Sequence, residues 1–406
     1  MHNSKEIHPN VHWVGASDRR LDRFENMFPL TDGVAYNSYL IMDEKTCLMD
    51  TVDTDVSDVF IDNVLHVLNG RPLDYLVIHH MEPDHCSNIQ AIARLFPDVK
   101  LVGNAKTFTF LEQFYPMDLS NSYHTVKEKD VLDLGEHSLS FYLTPMVHWP
   151  EVMMSYEPKT KTLFTADAFG TFGAHNGNLF ADEMDYKHTL LDEARRYYIN
   201  IVGRFGTNVQ NAFKKFSNLE IEMIAPLHGP IYRTKEDIEF IMGKYQTWST
   251  YQPEEDGVVL VYSTMYGNTE LAMNFLASEL ADLGVKDIKM YDVSKTDASY
   301  IVSDMHRFSN TVFGLVTYNT DLYLKMAALI DEAVMTKFSN RNISYVVNMS
   351  WGSKALVSAK EKFEKSKNLV EVGEPLTIKS SLKDNQTDEL KSLAIAIANS
   401  IQKVEA

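Results

Sequence analysis

The chain has 406 residues, which at roughly 150 residues per domain is too long for one core and predicts at least two domains. Apolar residues make up 45% and charged residues 23% of the chain, the composition of an ordinary globular protein. The formal net charge of −18 argues against binding to nucleic acid or to an anionic membrane surface, because such partners require a basic surface.

The first half of the chain has a mixed pattern of strands and helices with no internal repeat, which favours an α+β or layered αββα domain. The predicted strands are at residues 36–42, 46–50, 73–78, 99–103, 139–144, 162–166 and 222–225. The predicted helices lie near residues 55–69, 88–96, 106–114 and 188–216.

The segment after the third predicted strand is the most informative one. Within six positions it carries four potential metal ligands, His80, Glu82, Asp84 and His85. If the loop is extended, alternation points His80, Glu82 and Asp84 to the same side. Asp84 or Ser87 could instead simply cap the helix that follows.

The last three predicted strands also end at potential ligands, which are His148, Asp167 and His228. Ligands gathered at the carboxyl ends of separate strands are how layered α/β folds build an active site. The chain has only two cysteines, Cys47 and Cys86, which excludes a four-cysteine zinc site, an iron–sulfur cluster and a rubredoxin centre. Any metal must therefore be held by histidine and carboxylate.

The number of ligands suggests which metal is bound. Three histidines alone would suit a single zinc ion, whereas seven ligands suit two metal ions. If Asp167 bridges, each ion has two histidines and a carboxylate of its own. Such a set suits iron that activates a diatomic molecule, and zinc is also compatible with these ligand types.

The segment from His80 to His85 resembles the H-x-H-x-D-H loop of the metallo-β-lactamase superfamily, with Glu82 in place of the middle histidine. Together with His148-Trp149-Pro150, Asp167 and Leu227-His228-Gly229, it closely resembles the flavodiiron proteins. A zinc hydrolase of the superfamily would be expected to keep histidine at position 82. The resemblance implies that one iron is held by His80, Glu82 and His148, the other by Asp84, His85 and His228, and that Asp167 bridges.

A polar stretch with proline and glycine at residues 250–257 separates the two halves and is the expected linker, which predicts domains at residues 1–252 and 253–406. After the linker, short β-branched runs alternate with helical patterns, as in a doubly wound parallel sheet covered on both faces. The predicted strands are at 258–262, 286–292, 311–317 and 343–349, and the predicted helices lie near 269–283, 298–307, 322–337, 353–366 and 385–403.

The turn after the first strand of this half is rich in hydroxyl groups and precedes a helix. Several small polar residues at a helix N-terminus offer N–H and O–H donors to a phosphate, whereas a plain helix cap needs only one. The turn resembles that of flavodoxins, which implies binding of the FMN phosphate. The implied contacts are Thr264, Gly267, Asn268 and Thr269, which match the family, and Met265 and Tyr266, which replace hydroxyl residues.

Two further strand ends are expected to enclose the flavin ring, as they do in flavodoxin-like folds. They are Thr317-Tyr318-Asn319-Thr320 and Asn348-Met349-Ser350-Trp351-Gly352-Ser353, and the contacts expected from the second are Ser350, Trp351 and Gly352. Tyr318 and Trp351 are the candidates for stacking on the ring, although either could instead cover the core. The chain has no G-x-G-x-x-G motif, so a directly bound dinucleotide is not expected.

The resemblance covers essentially the whole chain. It implies an α/β fold with a metallo-β-lactamase-like αββα sandwich followed by a flavodoxin-like doubly wound parallel sheet. The implied activity is that of a terminal reductase, which passes electrons through FMN to two non-haem irons and reduces O2 to water, NO to N2O, or both, for detoxification in an anaerobe.

The resemblance also implies partners. The electron donor is expected to be a free rubredoxin or another reduced carrier, because the chain lacks the four cysteines of an attached rubredoxin. The implied assembly is a head-to-tail homodimer, or a tetramer made of two such dimers, in which the FMN of one subunit lies beside the irons of the other.

Two other functions are compatible with parts of the sequence. The first is a zinc-dependent hydrolase with a flavodoxin-like binding module, and the second is an electron-transfer flavoprotein with a structural metal domain. The chain has no apolar run near the roughly 20 residues that cross a bilayer and no signal-peptide core at its start, so a cytoplasmic protein is expected.

Overall fold

The computed structural model describes residues 1–401 and divides the chain into two units, Met1–Tyr245 and a second unit that begins at Gln246. The division falls inside a helix, and the domain boundary expected after residue 252 follows the end of that helix. Residues 402–403 of the last predicted helix lie outside the described residues. Within the described range, no helix is both long enough and apolar enough to cross a membrane.

The first unit begins with a seven-stranded sheet in the order β1-β2-β7-β8-β9-β10-β11. Its first four strands pair antiparallel, and the pairs from β8 onward are parallel, with helices in their connections. Strands β3 and β6, and strands β4 and β5, form two small separate sheets. The strands are β1 (Lys5–His8), β2 (Val11–Trp13), β3 (Ala16–Asp18), β4 (Arg23–Phe24), β5 (Phe28–Pro29), β6 (Val34–Tyr36), β7 (Tyr39–Met42), β8 (Thr46–Met49), β9 (Tyr75–Val77), β10 (Lys100–Gly103) and β11 (Tyr123–Thr125).

The second sheet of this unit has five strands in chain order. The first four are antiparallel, and the last returns parallel to its neighbour after a long helical connection. They are β12 (Val131–Asp133), β13 (Ser138–Leu143), β14 (Met153–Glu157), β15 (Thr162–Phe164) and β16 (Met223–Ala225). The helices of the unit are α1 (Ser57–Leu68), α2 (Pro83–Cys86), α3 (Ile89–Leu95), α4 (Ala105–Phe114), α5 (Tyr186–Thr189), α6 (Leu191–Tyr197), α7 (Gly206–Phe216) and α8 (Lys235–Ser249), the last of which continues into the second unit.

The two sheets pack against each other around one buried apolar cluster. Trp13, Met49 and Val77 from the first sheet meet Phe141 and Phe164 from the second. Helices α1 and α4 contact the first sheet. This arrangement is the layered sandwich expected from the sequence.

Two predicted elements are interrupted in the structure. The helix predicted at 188–216 consists of α5, α6 and α7, and a π-helical turn at Tyr198–Val202 and a 3-10 turn at Gly203–Phe205 lie between α6 and α7. At the 3-10 turn, Gly203 and Gly206 lower the local helix propensity. The strand predicted at 36–42 is split into β6 and β7 by Asn37 and Ser38. Their side chains hydrogen-bond to the backbone of other segments, which favours an irregular conformation at these two residues.

The second unit has a parallel sheet in the order β18-β17-β19-β21-β22, in which β23 also pairs with β21 and the short β20 runs antiparallel to the end of β19. This order is one of the two common doubly wound orders. The strands are β17 (Glu255–Tyr262), β18 (Ile288–Asp292), β19 (Phe308–Tyr318), β20 (Asp321–Leu322), β21 (Arg341–Met349), β22 (Leu369–Glu371) and β23 (Leu376–Lys379). The helices are α9 (Asn268–Asp282), α10 (Ala298–Arg307), α11 (Leu324–Met335), α12 (Ala355–Phe363) and α13 (Thr387–Ile401).

Helices cover both faces of this sheet. Val312 packs in the apolar cluster that includes α9 and α13, whereas the next residue, Phe313, contacts Phe363 of α12. Because successive side chains of a strand point to opposite faces, these two contacts place the helices on both sides of β19. The doubly wound sheet predicted from the sequence is confirmed. The last two strands, β22 and β23, are short and partly exposed, and their weak pattern did not predict them.

Candidate active site

Strand β9 leads directly into the first predicted ligands. The backbone of Glu82 is extended, and Pro83 then starts helix α2, where its fixed φ suits the first helical position. Asp84 and His85 therefore lie on a helical turn, and not in the extended loop expected from the alternation. Glu82 belongs to one group of ligands in the structure, and Asp84 and His85 belong to another.

The first group consists of His80, Glu82, His148 and Asp167, whose ligand atoms all lie within 4.8 Å of one another. The Nε2 atom of His148 is 3.0 Å from Glu82 Oε2 and 3.0 Å from Asp167 Oδ2. The Nε2 atom of His80 is 3.2 Å from Glu82 Oε2. All four side chains are buried.

The second group consists of Asp84, His85 and His228, which satisfy the same 4.8 Å criterion. Asp167 also reaches this group, because its Oδ1 atom is 3.0 Å from His85 Nε2 while its Oδ2 atom faces His148. One carboxylate thus has an oxygen toward each group. This is the position that a bridging ligand requires.

Burial and charge together perturb the pKa values of these groups. Burial would lower the pKa of His148, but Asp167 and Glu82 outweigh it and raise that pKa to about 9. In the same way, burial opposes but Asp84 and Asp167 raise the pKa of His85 to about 9. Burial raises the pKa of Glu82 and Asp167, yet the surrounding imidazoles hold both well below the usual range. Without a metal, Glu82 and Asp167 are ionised and His85 and His148 carry protons, which a cation would replace.

Several oxygen and nitrogen atoms of the two groups face one another closely, as the ligand atoms of a bound cation do. Both carboxylate oxygens of Asp84 and the Oδ1 atom of Asp167 are buried and make no well-formed hydrogen bond within the described part of the chain. The Nε2 atoms of His85 and His228 face each other at 3.0 Å. Converging lone pairs on nitrogen and oxygen repel one another unless a proton or a metal ion lies between them. The donor set therefore fits metal ions in both groups.

Two residues that the sequence did not single out hold the ligand loops. Asp50 follows β8, and its Oδ1 atom accepts hydrogen bonds from the N–H groups of His79 and His80 at 2.8 and 3.4 Å. The amide of Asn37 donates to the carbonyls of Pro226 and Gly229 on either side of His228. Asp50 lies at the end of a predicted strand and could have been found in the same way as Asp167. Asn37 lies inside a predicted strand, and nothing in the sequence marks it as a supporting residue.

Gly229 is required by the backbone at this position. Its φ is +70°, and a Cβ atom there would lie 2.2 Å from Thr171 Cγ2. The N–H at Nδ1 of His228 donates to the carbonyl of Ala35 at 2.8 Å, which leaves Nε2 free to face the other ligands.

The second unit contains a cavity of about 760 Å³ at the carboxyl ends of β17, β19 and β21. It is lined by nearly all of the predicted flavin contacts: Thr264, Met265, Tyr266, Asn268, Thr269, Thr317, Tyr318, Asn319, Thr320, Ser350, Trp351 and Gly352. Asn348 and Met349, which belong to the same predicted loop as Ser350, also line it, and so do two residues that the sequence did not identify, Val316 and Ser380. The three strand ends predicted to form one site are therefore together.

Gly267 is the one predicted contact that does not line this cavity. It has φ +86° and donates its N–H to Thr264 Oγ1 at 3.0 Å, so it closes the turn before α9. At such a turn, a positive φ is favourable only for glycine. We therefore infer that the role of Gly267 is to give the loop its conformation.

The chemistry of the cavity fits a flavin phosphate and ring. The residues that line it carry no formal charge at neutral pH, and hydroxyl and amide groups lie at the N-terminus of α9, where N–H groups and the helix dipole attract a phosphate. Trp351 is 80% exposed and Tyr266 is 91% exposed, which is unusual for large aromatic side chains. An aromatic ring system bound between these loops would cover such faces.

The comparisons with known proteins agree with this architecture. Residues 34–229 match the family described as ODP family beta lactamase. The anaerobic nitric oxide reductase flavorubredoxin of Pectobacterium atrosepticum is 32% identical over 354 residues, which are 86% of this chain and 68% of that protein. The protein of the same name from Escherichia coli O1:K1 is 32% identical over 353 residues, covering 86% of this chain and 72% of the relative.

Solved structures match along the full length of the chain. The rubredoxin oxygen:oxidoreductase of Desulfovibrio gigas has a TM-score of 0.92 at 26% identity and covers 100% of both chains. The flavodiiron protein of Giardia intestinalis has a TM-score of 0.88 at 23% identity and covers 98% of both chains. The expected β-lactamase-like unit followed by a flavodoxin-like unit is confirmed. On the identity to the flavorubredoxins and the match of the fold from end to end, this chain belongs to the flavodiiron protein family and is an oxidoreductase.

Proposed function

We propose that this protein is a flavodiiron terminal reductase that passes electrons from FMN to two non-haem irons and reduces O2 to water, NO to N2O, or both. The observation that carries the proposal is the pair of buried ligand groups that share Asp167, in a chain whose second unit holds an uncharged cavity of the size and chemistry that FMN needs. A single zinc ion would leave one of the two groups unused.

In this proposal, His80, Glu82 and His148 hold one iron, Asp84, His85 and His228 hold the other, and Asp167 bridges. The three carboxylates offset most of the positive charge of two ferrous ions, which makes the buried site electrostatically tolerable. When bound, the iron pair would supply electrons and open positions to a diatomic ligand. The protein's own part is to keep the ligands deprotonated, oriented and shielded from bulk water.

The cavity of the second unit would hold FMN. Thr264, Asn268 and Thr269 are placed to donate hydrogen bonds to the phosphate at the start of α9, and Tyr318 and Trp351 are placed to cover the ring. A flavin in this place can accept electrons one or two at a time. Reduction of O2 to two waters needs four electrons and four protons, and conversion of two NO to N2O and water needs two of each.

Replacing Thr264 by aspartate is expected to abolish retention of FMN. A carboxylate in this turn would repel the phosphate and would occupy the hydroxyl position that now accepts the Gly267 N–H at 3.0 Å. We expect the dissociation constant for FMN to rise at least about 100-fold, since like-charge contacts typically cost several kcal/mol. The measurement is fluorescence titration of the flavin-free protein with FMN.

The conservative variant Thr264→Ser, which keeps the hydroxyl, serves as the matched control and should bind FMN within a few fold of the wild type. Retention of a full complement of FMN by Thr264→Asp would show that the phosphate lies elsewhere.

The partners and boundaries follow from the family as proposals. The electron donor is a free rubredoxin or another reduced carrier, and the assembly is a head-to-tail homodimer or a tetramer built from it. The diiron domain spans residues 1–252 and the FMN domain spans residues 253–406. The expected location is the cytoplasm.

The function is tested by analysing the purified protein for iron, zinc and flavin, followed by anaerobic turnover of the reduced protein with each gas separately. The proposal expects about two irons and one FMN per chain, consistent with the ligand set, together with O2 uptake or N2O formation. Zinc with hydrolytic activity and no flavin would instead support the hydrolase alternative. O2 reduction that survives His148→Ala would support an electron-transfer flavoprotein with a structural metal domain.

A further inference from the structure

The first ligand group is supported by a carboxylate that is not a ligand. Glu151 is 1% exposed, and its Oε1 atom lies 2.8 Å from Nδ1 of His80 and accepts the N–H of Met81 at 2.9 Å. Its backbone carbonyl accepts a hydrogen bond from the amide of Asn104. The imidazole of His80 is thereby held with Nδ1 toward Glu151 and Nε2 toward Glu82.

In the second group, neither histidine has a carboxylate hydrogen-bonded to its Nδ1 atom. Nδ1 of His228 faces the neutral carbonyl of Ala35 at 2.8 Å. Nδ1 of His85 is buried and has no hydrogen-bond partner among the residues that the structure describes. The imidazoles of this group therefore lack the negative charge that stands behind His80.

A carboxylate behind a ligating imidazole has two effects. It fixes the tautomer and the ring orientation, and it increases the electron density that the other nitrogen donates to a metal. Its own negative charge also favours the more positive oxidation state of a nearby ion. The other carboxylate oxygen of Glu151, Oε2, is buried and has no hydrogen-bond partner within the described residues.

We propose that Glu151 is a positioning residue that makes the two metal sites unequal. The ion held by His80, Glu82 and His148 is bound more tightly and has a lower reduction potential than the ion held by Asp84, His85 and His228. This inference rests on the proposed function only in requiring that both groups hold metal.

The test compares Glu151→Gln with the wild-type holoprotein. Glutamine keeps the size and can still accept both hydrogen bonds through its amide oxygen, but it removes the charge. In a background in which Asp84→Ala empties the second group, we expect iron to leave the first group to a chelator about 10- to 100-fold faster in the Glu151→Gln variant. In the chain with both irons, potentiometric titration followed by EPR should show an upward shift of the diiron potential in this variant.

Two variants make the result specific. Glu151→Asp keeps the charge at a shorter reach and should restore part of the potential, which a purely structural role would not do. Glu136→Gln, an exposed glutamate of the same unit, should leave both the chelation rate and the potential unchanged.

Each outcome decides the proposal. A Glu151→Gln protein that holds both irons with the wild-type chelation rate and potential overturns it while the proposed function stands. If Glu151→Gln does not fold, Glu151→Asn takes its place and is compared with Glu151→Asp, which has the same length. Faster loss of iron and a higher potential in Glu151→Asn than in Glu151→Asp support the role of the charge, and equal values in the two variants overturn it. A wild-type protein without two irons contradicts the proposed function instead.

Discussion

Replacing Asp167 by alanine is expected to empty both metal sites and to abolish reduction of O2 and NO. Asp167 is completely buried, and its two oxygens lie 3.0 Å from His85 Nε2 and 3.0 Å from His148 Nε2. Its loss removes the bridge and a negative charge that both groups use. We expect iron content to fall to about a tenth or less and turnover to fall at least about 1,000-fold, because a ligand shared by both ions acts on the whole site.

Flavin binding separates this effect from general unfolding. The FMN content of the Asp167→Ala protein should equal that of the wild type, because the flavin cavity is formed by residues of the second unit. Asp58→Asn, a substitution at an exposed aspartate in the first turn of α1, should change neither iron nor turnover. Full turnover by the Asp167→Ala protein would remove the shared carboxylate from the mechanism.

Mixing two inactive variants is expected to restore activity. In a head-to-tail dimer the FMN of one subunit serves the irons of the other, so an Asp167→Ala subunit can supply its flavin to the irons of a Thr264→Asp subunit. Random pairing of equal amounts makes about half of the dimers mixed, and each mixed dimer has one working pair out of two, so turnover should recover to about a quarter of the wild-type value.

The mixture must exchange subunits for this test, and mass spectrometry of differently tagged chains measures the exchange directly. Mixing the wild type with itself after the same treatment controls for losses. Mixed dimers that form but show no recovery would place electron transfer within one chain.

The metal site was largely predictable because its ligands follow a simple rule. His148, Asp167 and His228 were singled out as residues that follow strands, and the carboxyl ends of neighbouring strands meet at one edge of a layered fold. The division of the ligands into two groups was not predictable from that rule. It depends on the short helix α2, which begins at Pro83 where an extended loop was expected.

The residues that support the ligands had weaker signals. Glu151 is an acidic residue in a loop, and Asn37 interrupts what reads as a continuous strand. Both residues are buried and hydrogen-bond to residues far away in the chain, Glu151 to His80 and Asn37 to Pro226. Local patterns contain no information about such partners, since they arise only when the sheets pack.

The flavin cavity, too, was predictable only in part. The hydroxyl-rich turn and the aromatic loops were visible as strand ends, whereas the role of Gly267 in shaping the turn depends on a positive φ that only the folded loop reveals. Ser380, which also lines the cavity, directly follows β23, a short strand that the sequence did not predict.

By itself, the sequence determined the alternation of strands and helices, the supply of histidine and carboxylate in place of thiolate as metal ligands, and an uncharged turn suited to phosphate. These properties depend on residue type and on neighbours along the chain. Only the tertiary structure gave the distances from Asp167 to both groups and placed Glu151 beside His80 alone. It also showed that burial, which lowers the pKa of His85 and His148, is outweighed by neighbouring carboxylates that raise it to about 9. These properties depend on distances between residues far apart in the chain and on exclusion of water, which only packing creates.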